Sequence, residues 1–393
     1  MWGNILDKER LKSLLLGVSI GKKFGSGVNL KIDDFKLYEE EIRWHGLEDY
    51  FIEYYINCRE QFAQSDIYKG MKKTYVKKRL VVQYKLKELS HLVTLLEGKR
   101  IDFAIIKGFS TAYWMNEEFI NAKATADFDL LIRESQLDEA RKILISDGYL
   151  QSESMDKCML RKHLVWHISP LEKETHFVEL HHKFTQINDT HVFSVEEALK
   201  NKIYIKIGNV TFPVLNLEDT IYLLSLHLYQ HEYKDITFQL KRHAEIVNIL
   251  LNHEKDINWD KFVSKINKSN ANFPVSYSFY HINLVYNKVL KFDCIPDKVL
   301  TEIMPEDFHA KKDMLTHRHM YNDESLGEWD YETDHWHFKY GKEWEPGYES
   351  RLFGNMKDVT LRYYYLFFRH FANMNIKKEC EKIGVEYTDS IFF

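Results

Sequence analysis

Three short stretches of the chain carry residues suited to phosphate chemistry. They lie at 105–110, 127–131 and 178–181. Alternate residues of a β-strand point to the same face, so Asp127 and Asp129 place two carboxylates side by side. Such carboxylates repel each other unless a cation neutralises them, and Mg²⁺, which prefers oxygen ligands, is the expected cation. Glu179 is the candidate third carboxylate, and two metal ions could then bind the attacking and leaving oxygens of an in-line displacement.

Basic and small residues precede the acidic pair. Gly108 and Ser110 fall between a predicted strand and a helix that starts near Thr111, and the free amides of a helix N-terminus attract phosphate. Lys107 or Lys123 could place a positive charge against the leaving pyrophosphate. The same glycine-containing turn could also be a simple strand-to-helix connection.

The acidic residues also have plainer interpretations. A single Asp-x-Asp pair is common on solvated strand ends, and Glu179 could be a strand-edge carboxylate paired with Lys183. His181 lies on the same predicted face as Glu179. It could orient Glu179, contact the substrate, or serve only as a polar packing partner.

A second group of histidines lies in the last quarter of the chain. His317 and His319 form one H-x-H pair, and His335 and His337 form another. Imidazoles are frequent zinc or copper ligands, but these lie in a Trp- and Tyr-rich stretch, 324–351, without the spacing of a closed tetrahedral site. Aromatic packing or substrate stacking explains them more simply, and the stretch is predicted to be a long loop or irregular cover.

The length and charge of the chain limit the classes of protein it can belong to. The 393 residues exceed the usual size of one hydrophobic core, so two domains, or one core with a large helical extension, are expected. The formal net charge is −5, which provides no general field for holding nucleic acid, although a local basic pocket for a nucleotide is compatible with it. We therefore expect no generic nucleic-acid binding.

Cysteine spacing and hydropathy predict the compartment. The cysteines are scattered without a C-x-x-C pair, which argues against a disulfide framework or a zinc knuckle and favours a reducing cytoplasm. No run approaches the roughly 18 apolar residues that a membrane span needs. The sequence thus predicts a cytoplasmic protein without a membrane partner. The four cysteines are Cys58, Cys158, Cys294 and Cys380.

Hydrophobic periodicity predicts a helical lead-in, a mixed middle and a helical end. Residues 34–98 show helical spacing that stops at Gly98, and Ser135–Asp138 reads as a capping box for a helix that ends at Gly148. Asn216 is predicted to cap a helix whose spacing continues through Leu250. Strands are predicted at 103–106, 128–132, 163–169, 176–184, 204–207 and 210–214. Further helices are predicted at 274–290 and 358–383.

Taken together, these features resemble a known family. The chain has Lys-Gly at 107–108 after a strand, Asp-x-Asp-Leu-Leu-Ile at 127–132, a helix ending in Gly-Tyr at 148–149, and Glu-Leu-His at 179–181. This order is similar to the uncharacterised bacterial nucleotidyltransferase family of the polymerase-β-like nucleotidyltransferase superfamily. The helical segment that follows 214–219 is also similar to that family.

The resemblance covers about 89–250 and departs from the family pattern at three positions. An arginine and a glycine that commonly precede the first aspartate are Lys123 and Ala126 here. The third acidic ligand, often aspartate in the family, is Glu179. Lysine and glutamate keep the charges of the residues they replace.

The resemblance implies a fold and an activity. The fold is α+β: a mixed sheet with flanking helices, expected at 101–215, between a helical N-terminal region (1–100) and a helical C-terminal region (216–393). The activity is nucleotide transfer from a triphosphate such as ATP to a hydroxyl, phosphate or amine acceptor, with Mg²⁺ or Mn²⁺ bound. The alternative is a non-catalytic nucleotide-sensing or protein-binding module on the same fold.

The resemblance also implies a role for each site residue. Asp127 and Asp129 would bind both metals, and Glu179 would bind the catalytic metal and help to activate the acceptor. Gly108 and Ser110 would hold the β- and γ-phosphates. Lys107 and Lys123 are candidate phosphate contacts, and His181 is an accessory candidate. The acceptor is a small molecule or a protein that the sequence does not identify.

Overall fold

A computed structural model describes residues 15–20, 39–57, 66–116, 127–151, 162, 166–184, 191–231, 239–290 and 295–308 of the chain. They fall into two compact units. The sheet unit includes Lys78–Leu223 and Asp260–Ala271, and the helical unit includes Leu224–Trp259 and the helices that follow Asn272. The predicted histidine pairs, the predicted helix at 358–383, Lys123 and all four cysteines lie outside the described residues.

The first part of the described chain is helical, as its periodicity predicts. Its helices are α1 (Glu39–Trp44), α2 (Glu48–Asn57) and α3 (Asp66–Gly98). Helix α3 ends at the predicted Gly98. Val82, Leu89, Val93 and Leu96 form a buried row along it, because residues three and four apart share one helical face.

Seven strands form one mixed sheet within the sheet unit, in the order β3-β4-β5-β2-β1-β7-β6. Strand β2 runs parallel to β5 and antiparallel to β1, while β1 runs parallel to β7. The remaining neighbours, β3-β4, β4-β5 and β6-β7, pair in antiparallel fashion. The strands are β1 (Phe103–Ile105), β2 (Asp127–Ile132), β3 (Leu150–Gln151), β4 (Leu171–Lys173), β5 (His176–His181), β6 (Ile203–Ile207) and β7 (Val210–Val214).

Strand β2 lies at the centre of the sheet and is buried along almost its whole length. Phe128 and Leu130 lie on one face of the strand and Asp129 and Leu131 on the other; all four are buried, and only Asp127 at the start of the strand is partly exposed. Such a continuous apolar run is expected where both faces of a strand are covered. Asp129 is therefore a carboxylate in an apolar strand, and it needs charged or hydrogen-bonding partners.

Most predicted strands are confirmed, but residues 166–169 of the strand predicted at 163–169 do not form one, and 163–165 lie outside the described residues. In the described part of that range, 166–169, the backbone makes only an isolated bridge between His167 and His181. Pro170 follows directly and has no amide hydrogen to continue a ladder. The antiparallel neighbour of β5 is instead β4, which the periodicity does not predict. The hairpin of β6 and β7 turns at Gly208, with φ of 60°, as predicted.

Two helices of the sheet unit follow β1 and β2 in the chain, α4 (Phe109–Met115) and α5 (Leu137–Ser146). The predicted capping box of α5 is wrong: Ser135 lies in a 3₁₀ turn, and no side chain caps the helix. Oε1 of Gln136 instead accepts a hydrogen bond from the Asp102 amide at 2.9 Å, which joins this turn to the segment before β1. The predicted stop is confirmed, since Gly148 adopts φ of 95° and the amide of Tyr149 bonds the Leu144 carbonyl.

The remaining helices are α6 (Val195–Lys200), α7 (Leu217–Tyr229), α8 (Leu240–His253), α9 (Trp259–Lys268), α10 (Asn272–Leu290) and α11 (Asp297–Ile303). The Asn216 cap of α7 is confirmed, because its Oδ1 accepts from the Asp219 amide at 2.9 Å. The helix predicted to run through Leu250 is two helices, with α7 ending at Tyr229 and α8 beginning at Leu240.

Aromatic side chains fill part of the helical unit. Tyr229, Tyr277 and Phe308 form a buried cluster, with Phe273 and Tyr280 packed against it. Their rings meet mostly edge to face, the arrangement that aromatic quadrupoles favour. In the part of the chain that the structure describes, no helix is both long enough and apolar enough to cross a membrane.

Candidate active site

The acidic residues converge on the two central parallel strands. Asp129 of β2 pairs in register with Glu179 of β5, and Asp127 precedes Asp129 by two residues on the same strand. Asp129 is buried, with 4% of its side chain exposed, whereas Glu179 is 21% exposed. The buried Asp129 is thus flanked by two carboxylates that solvent and ligands can reach.

Lys107 supplies the first counter-charge. Lys107 follows β1, and β1 pairs with β2 on the side opposite β5. Lys107 and Glu179 therefore approach Asp129 from strands on opposite sides of β2. Its Nζ donates to Oδ1 of Asp129 at 2.9 Å, and 20% of its side chain is exposed. The candidate phosphate contact is therefore an ion-pair partner of the central aspartate in this structure.

His181 supplies a second hydrogen bond to the same oxygen. Its Nε2 lies 2.8 Å from Oδ1 of Asp129 and 3.4 Å from Oε2 of Glu179, and the ring is fully buried. A carboxylate only accepts hydrogen bonds, so Nε2 carries the proton. No hydrogen-bond partner of Nδ1 is found among the described residues. This favours the neutral Nε2–H tautomer and a role in orienting Asp129, since a metal-ligating histidine usually donates its other N–H to an acceptor.

The pKa values of Asp127 and Asp129 are shifted in opposite directions. Burial raises the pKa of Asp127, and the charges of Asp129 and Glu179 raise it further. Burial also favours a higher pKa for Asp129, but the ammonium of Lys107 and the hydrogen bond from His181 outweigh it and hold the pKa well below its usual value. Asp129 is the fixed charge of the site, and Asp127 is the carboxylate that most needs a further cation.

Glu179 and Lys107 complete the electrostatic balance. Burial favours a raised pKa for Glu179. The hydrogen bond with His181 and the charge of the nearby His167 outweigh burial and lower this pKa overall. Burial favours a lowered pKa for Lys107, but Asp129 first, and then Glu179 and Asp127, raise it. The Lys107 ammonium therefore feels the charge of all three carboxylates.

Small and hydroxyl-bearing residues follow Lys107 in the turn after β1 and in the first turn of α4. Gly108 adopts φ of 57°, a conformation that favours glycine, and it precedes α4. The hydroxyls of Ser110 and Thr111 are buried and bond to none of the described residues. Buried polar atoms of this kind usually have a water or ligand partner.

The donor set fits a hard divalent cation. Ligand atoms of Asp129, Glu179 and His181 all lie within 4.8 Å of one another, and Asp127 is electrostatically coupled to the same group. Carboxylate oxygens that are partly open to solvent match the usual Mg²⁺ arrangement, in which substrate phosphates and water complete the shell. Asp127, Asp129 and Glu179 could hold Mg²⁺ or Mn²⁺.

A cavity of about 260 Å³ lies in the same unit, among the loop before α6, the start of α7, and α9. A chain of aromatic contacts links it to the acidic site: His181 stacks on Phe184, which meets Phe193, which meets Tyr222. Phe193 and Tyr222 both line the cavity. Its floor contains the buried Asp219, which is paired with Lys265.

A second group with metal-ligand residue types lies elsewhere on the sheet unit. Glu88, His91 and Asp147 bring their ligand atoms within 4.8 Å of one another. Lys173 bridges this group, 2.8 Å from Asp147 and 3.4 Å from Glu88, and Tyr149 donates to Glu88. These carboxylates are already neutralised and hydrogen-bonded, so the group is explained as a structural ion-pair network.

The sequence predicts that Asp127, Asp129 and Glu179 lie close together, but it does not predict which residues neutralise their charges. The pairing of Lys107 with Asp129 depends on β1 lying beside β2, which no local pattern predicts. His167, whose charge acts on Glu179, lies in an irregular segment that the sequence suggests is a strand. The alternation of Glu179 and His181 is the one signal that predicts their shared face.

The fold and the site define a class of protein: an α+β protein whose central sheet carries an acidic site suited to a divalent cation and phosphate. A protein-family model described as "Uncharacterised nucleotidyltransferase" matches residues 34–287, more than half of the chain. The chain belongs to this uncharacterised nucleotidyltransferase family. No curated protein matches it.

Proposed function

We propose that this protein transfers a nucleotide from a nucleoside triphosphate to an acceptor, with Mg²⁺ or Mn²⁺ bound by Asp127, Asp129 and Glu179. The observation that carries the proposal is the in-register pairing of Asp129 with Glu179 on parallel strands, with Asp127 beside them. The family match supports nucleotidyl transfer in general. The strand arrangement around β2 supports a polymerase-β-like core.

The proposed reaction is an in-line displacement at the α-phosphorus. An oxygen or nitrogen of the acceptor bonds to that phosphorus, the bond to the bridging oxygen of the β-phosphate breaks, and pyrophosphate leaves. Divalent cations supply charge neutralisation at the attacking and leaving atoms. Glu179, partly exposed beside Asp129, is placed to accept the proton of the acceptor or to orient it.

The remaining residues orient and neutralise. His181 donates to Asp129 and fixes its carboxylate plane, because Oδ1 receives the Nε2 proton at 2.8 Å. Gly108 and Ser110 are proposed to contact the β- and γ-phosphates, and the unsatisfied Ser110 hydroxyl supports this. Lys107 and Lys123 are proposed to balance the charge of the leaving pyrophosphate. Scattered cysteines support a cytoplasmic location.

The direct test is turnover of labelled nucleotides. Purified protein is incubated with Mg²⁺ and each of α-labelled ATP, CTP, GTP and UTP, with and without a cell extract that supplies acceptors. We expect release of pyrophosphate and transfer of label with at least one nucleotide, and loss of both in Asp129→Asn.

A non-catalytic nucleotide-sensing or protein-binding module is the second candidate, and one observation favours it. Lys107 forms an ion pair with Asp129, and His181 hydrogen-bonds the same oxygen, so the central carboxylate has protein partners for its charge. A module of this kind would bind a triphosphate, with or without Mg²⁺, but would release no pyrophosphate under any of the conditions above. Equal binding by the wild type and by Asp129→Asn, with no turnover in either, would select it.

A further inference from the structure

Oxygen Oδ1 of Asp129, a proposed metal ligand, already accepts two hydrogen bonds. Oδ1 of Asp129 accepts hydrogen bonds from both Lys107 Nζ, at 2.9 Å, and His181 Nε2, at 2.8 Å. Of these two donors, only Lys107 carries a permanent charge, and that charge interacts with Asp129, Glu179 and Asp127 together. The ammonium therefore contacts Asp129 directly and interacts electrostatically with the other two carboxylates, as a bound cation would.

A divalent cation and this ammonium exclude each other at such a position. Both are positive, and two like charges a few ångströms apart in a partly buried site repel strongly. The contact of His181 with Asp129 is a hydrogen bond from Nε2, not a contact of a permanent charge. Binding of the cation thus requires Lys107 to leave Asp129, whereas His181 can keep its bond.

The position of Lys107 in the chain allows this movement. Lysine carries its charge on a flexible four-carbon stem, and 20% of the Lys107 side chain is exposed. Lys107 directly precedes Gly108, and Ser110 lies in the first turn of α4. A rotation of the stem away from Asp129 keeps the ammonium on the side of the loop that is proposed to contact phosphate.

We infer that Lys107 is an internal counter-ion that occupies the cation position of the metal-free enzyme and is displaced onto the triphosphate when the metal binds. The inference rests on the proposed function for the identity of the phosphate ligand. It makes Lys107 a positioning residue with two opposite effects: it weakens binding of a metal ion alone and strengthens binding of metal and nucleotide together. Metal and nucleotide then bind cooperatively because of one side chain.

The first experiment measures metal binding without turnover. Mn²⁺ is titrated into the nucleotide-free protein, and free Mn²⁺ is followed by electron paramagnetic resonance, for the wild type, Lys107→Met and Lys202→Met. Lys202 is a matched control, since it is another largely buried lysine paired with an aspartate, Asp102. We expect Lys107→Met to bind Mn²⁺ about tenfold more tightly than the wild type, a change of about 1.4 kcal/mol, and Lys202→Met to bind as the wild type does.

A second measurement uses the wild-type protein and does not depend on a variant that folds. An amine-reactive reagent labels exposed lysines, and mass spectrometry quantifies labelling at Lys107 and at Lys202. We expect Lys107 to be protected in the metal-free protein, to become several-fold more reactive when Mn²⁺ alone is added, and to be protected again by a triphosphate. Labelling of Lys202 should stay constant.

The possible outcomes separate this inference from the proposed function. If the wild type binds Mn²⁺ but Lys107→Met binds it no more tightly, and Lys107 labelling does not change, Lys107 is not displaced and the inference is wrong while the metal site stands. If the wild type binds no Mn²⁺ even with a triphosphate, the proposed function is wrong, and the inference that rests on it is wrong as well. Tighter Mn²⁺ binding in Lys107→Met together with metal-induced labelling in the wild type supports the inference.

Discussion

Asp129 and Glu179 are cross-strand partners on parallel strands, although 49 intervening residues separate them in the chain. Neighbouring positions on adjacent strands place side chains on the same face at close range. The sheet therefore holds one fully charged, buried carboxylate against one that is partly open to ligands. This asymmetry assigns different consequences to the loss of each residue.

Loss of the Glu179 charge should affect catalysis far more than folding. Glu179→Gln keeps the shape of the side chain but removes the group that is proposed to bind metal and accept a proton, so transfer should fall about 10²-fold or more. The measurement is pyrophosphate release with Mg²⁺ and the preferred nucleotide. Glu172→Gln, on the neighbouring strand β4 and exposed, is the matched control and should retain activity. Full activity in Glu179→Gln would contradict its assignment.

The two aspartates should differ in metal-free stability. Asp127→Asn removes a charge that its neighbours disfavour, so its free energy of unfolding should stay within about 0.5 kcal/mol of the wild type. Asp129→Asn removes the partner of Lys107 and His181 inside the sheet and should cost about 3 kcal/mol. The sequence alone suggests that neutralising both would relieve repulsion, whereas the structure predicts relief at Asp127 only. Urea denaturation in excess chelator measures both, and equal effects would argue against the observed pairing.

The hydrogen bond from His181 should act on metal affinity as well as on stability. His181→Phe keeps a ring against Phe184 but leaves Asp129 without one donor, so the free energy of unfolding should fall by about 1–3 kcal/mol. Because the donor also orients the carboxylate, Mn²⁺ affinity should fall about 10- to 100-fold.

The control for His181 is another histidine bonded to an aspartate. His91 contacts Asp147 at 2.9 Å but is 45% exposed, so His91→Phe should cost less than about 1 kcal/mol. It should leave Mn²⁺ affinity at the acidic site unchanged. Equal losses of Mn²⁺ affinity in the two variants would show that His181 has no specific role in positioning Asp129.

His182 should make stability depend on pH. Burial lowers its pKa to about 4, from about 6.5 in an unfolded chain, and its Nε2 donates to the Lys162 carbonyl at 2.8 Å. Between these values the unfolded state binds more protons than the folded state, so stability rises with pH. The contribution, on the order of 3 kcal/mol, is present above pH 6.5 and is lost as the pH falls to about 4.

Comparison with a variant isolates this contribution from those of other histidines. His182→Gln cannot take up a proton, so the difference in unfolding free energy between wild type and variant should shrink by about 3 kcal/mol from pH 7 to pH 4. Chemical denaturation at several pH values in this range measures it. A difference that does not change with pH would mean that His182 is not held neutral by the fold.

Local sequence patterns predict the elements that carry the site. The alternation at 127–131 and 178–181 predicts strands whose carboxylates share a face, and the apolar residues between them predict burial. The Asn216 cap and the Gly208 hairpin turn are equally local, because each depends on the conformational preference of one residue. These are the features in which prediction and structure agree.

Long-range relationships account for what the sequence does not predict. The ion pair of Lys107 with Asp129 depends on the strand order around β2. The predicted capping box is absent where Gln136 accepts a hydrogen bond from Asp102, a residue distant in the sequence. In the same way, Pro170 is visible in the sequence, but its effect depends on which strand becomes the partner of β5. Tertiary context overrides local preference in each case.

The pairing of Asp219 with Lys265 affects how the protein can fold while it is being synthesised. The ribosome synthesises the chain from its N-terminus, yet the sheet unit includes Asp260–Ala271 as well as Lys78–Leu223. Until Lys265 has left the exit tunnel, Asp219, fully buried in the finished unit, lacks its lysine partner. A nascent chain that ends before residue 260 should therefore hold the seven-stranded sheet in an incomplete, protease-sensitive form, and synthesis of α9 should complete the unit.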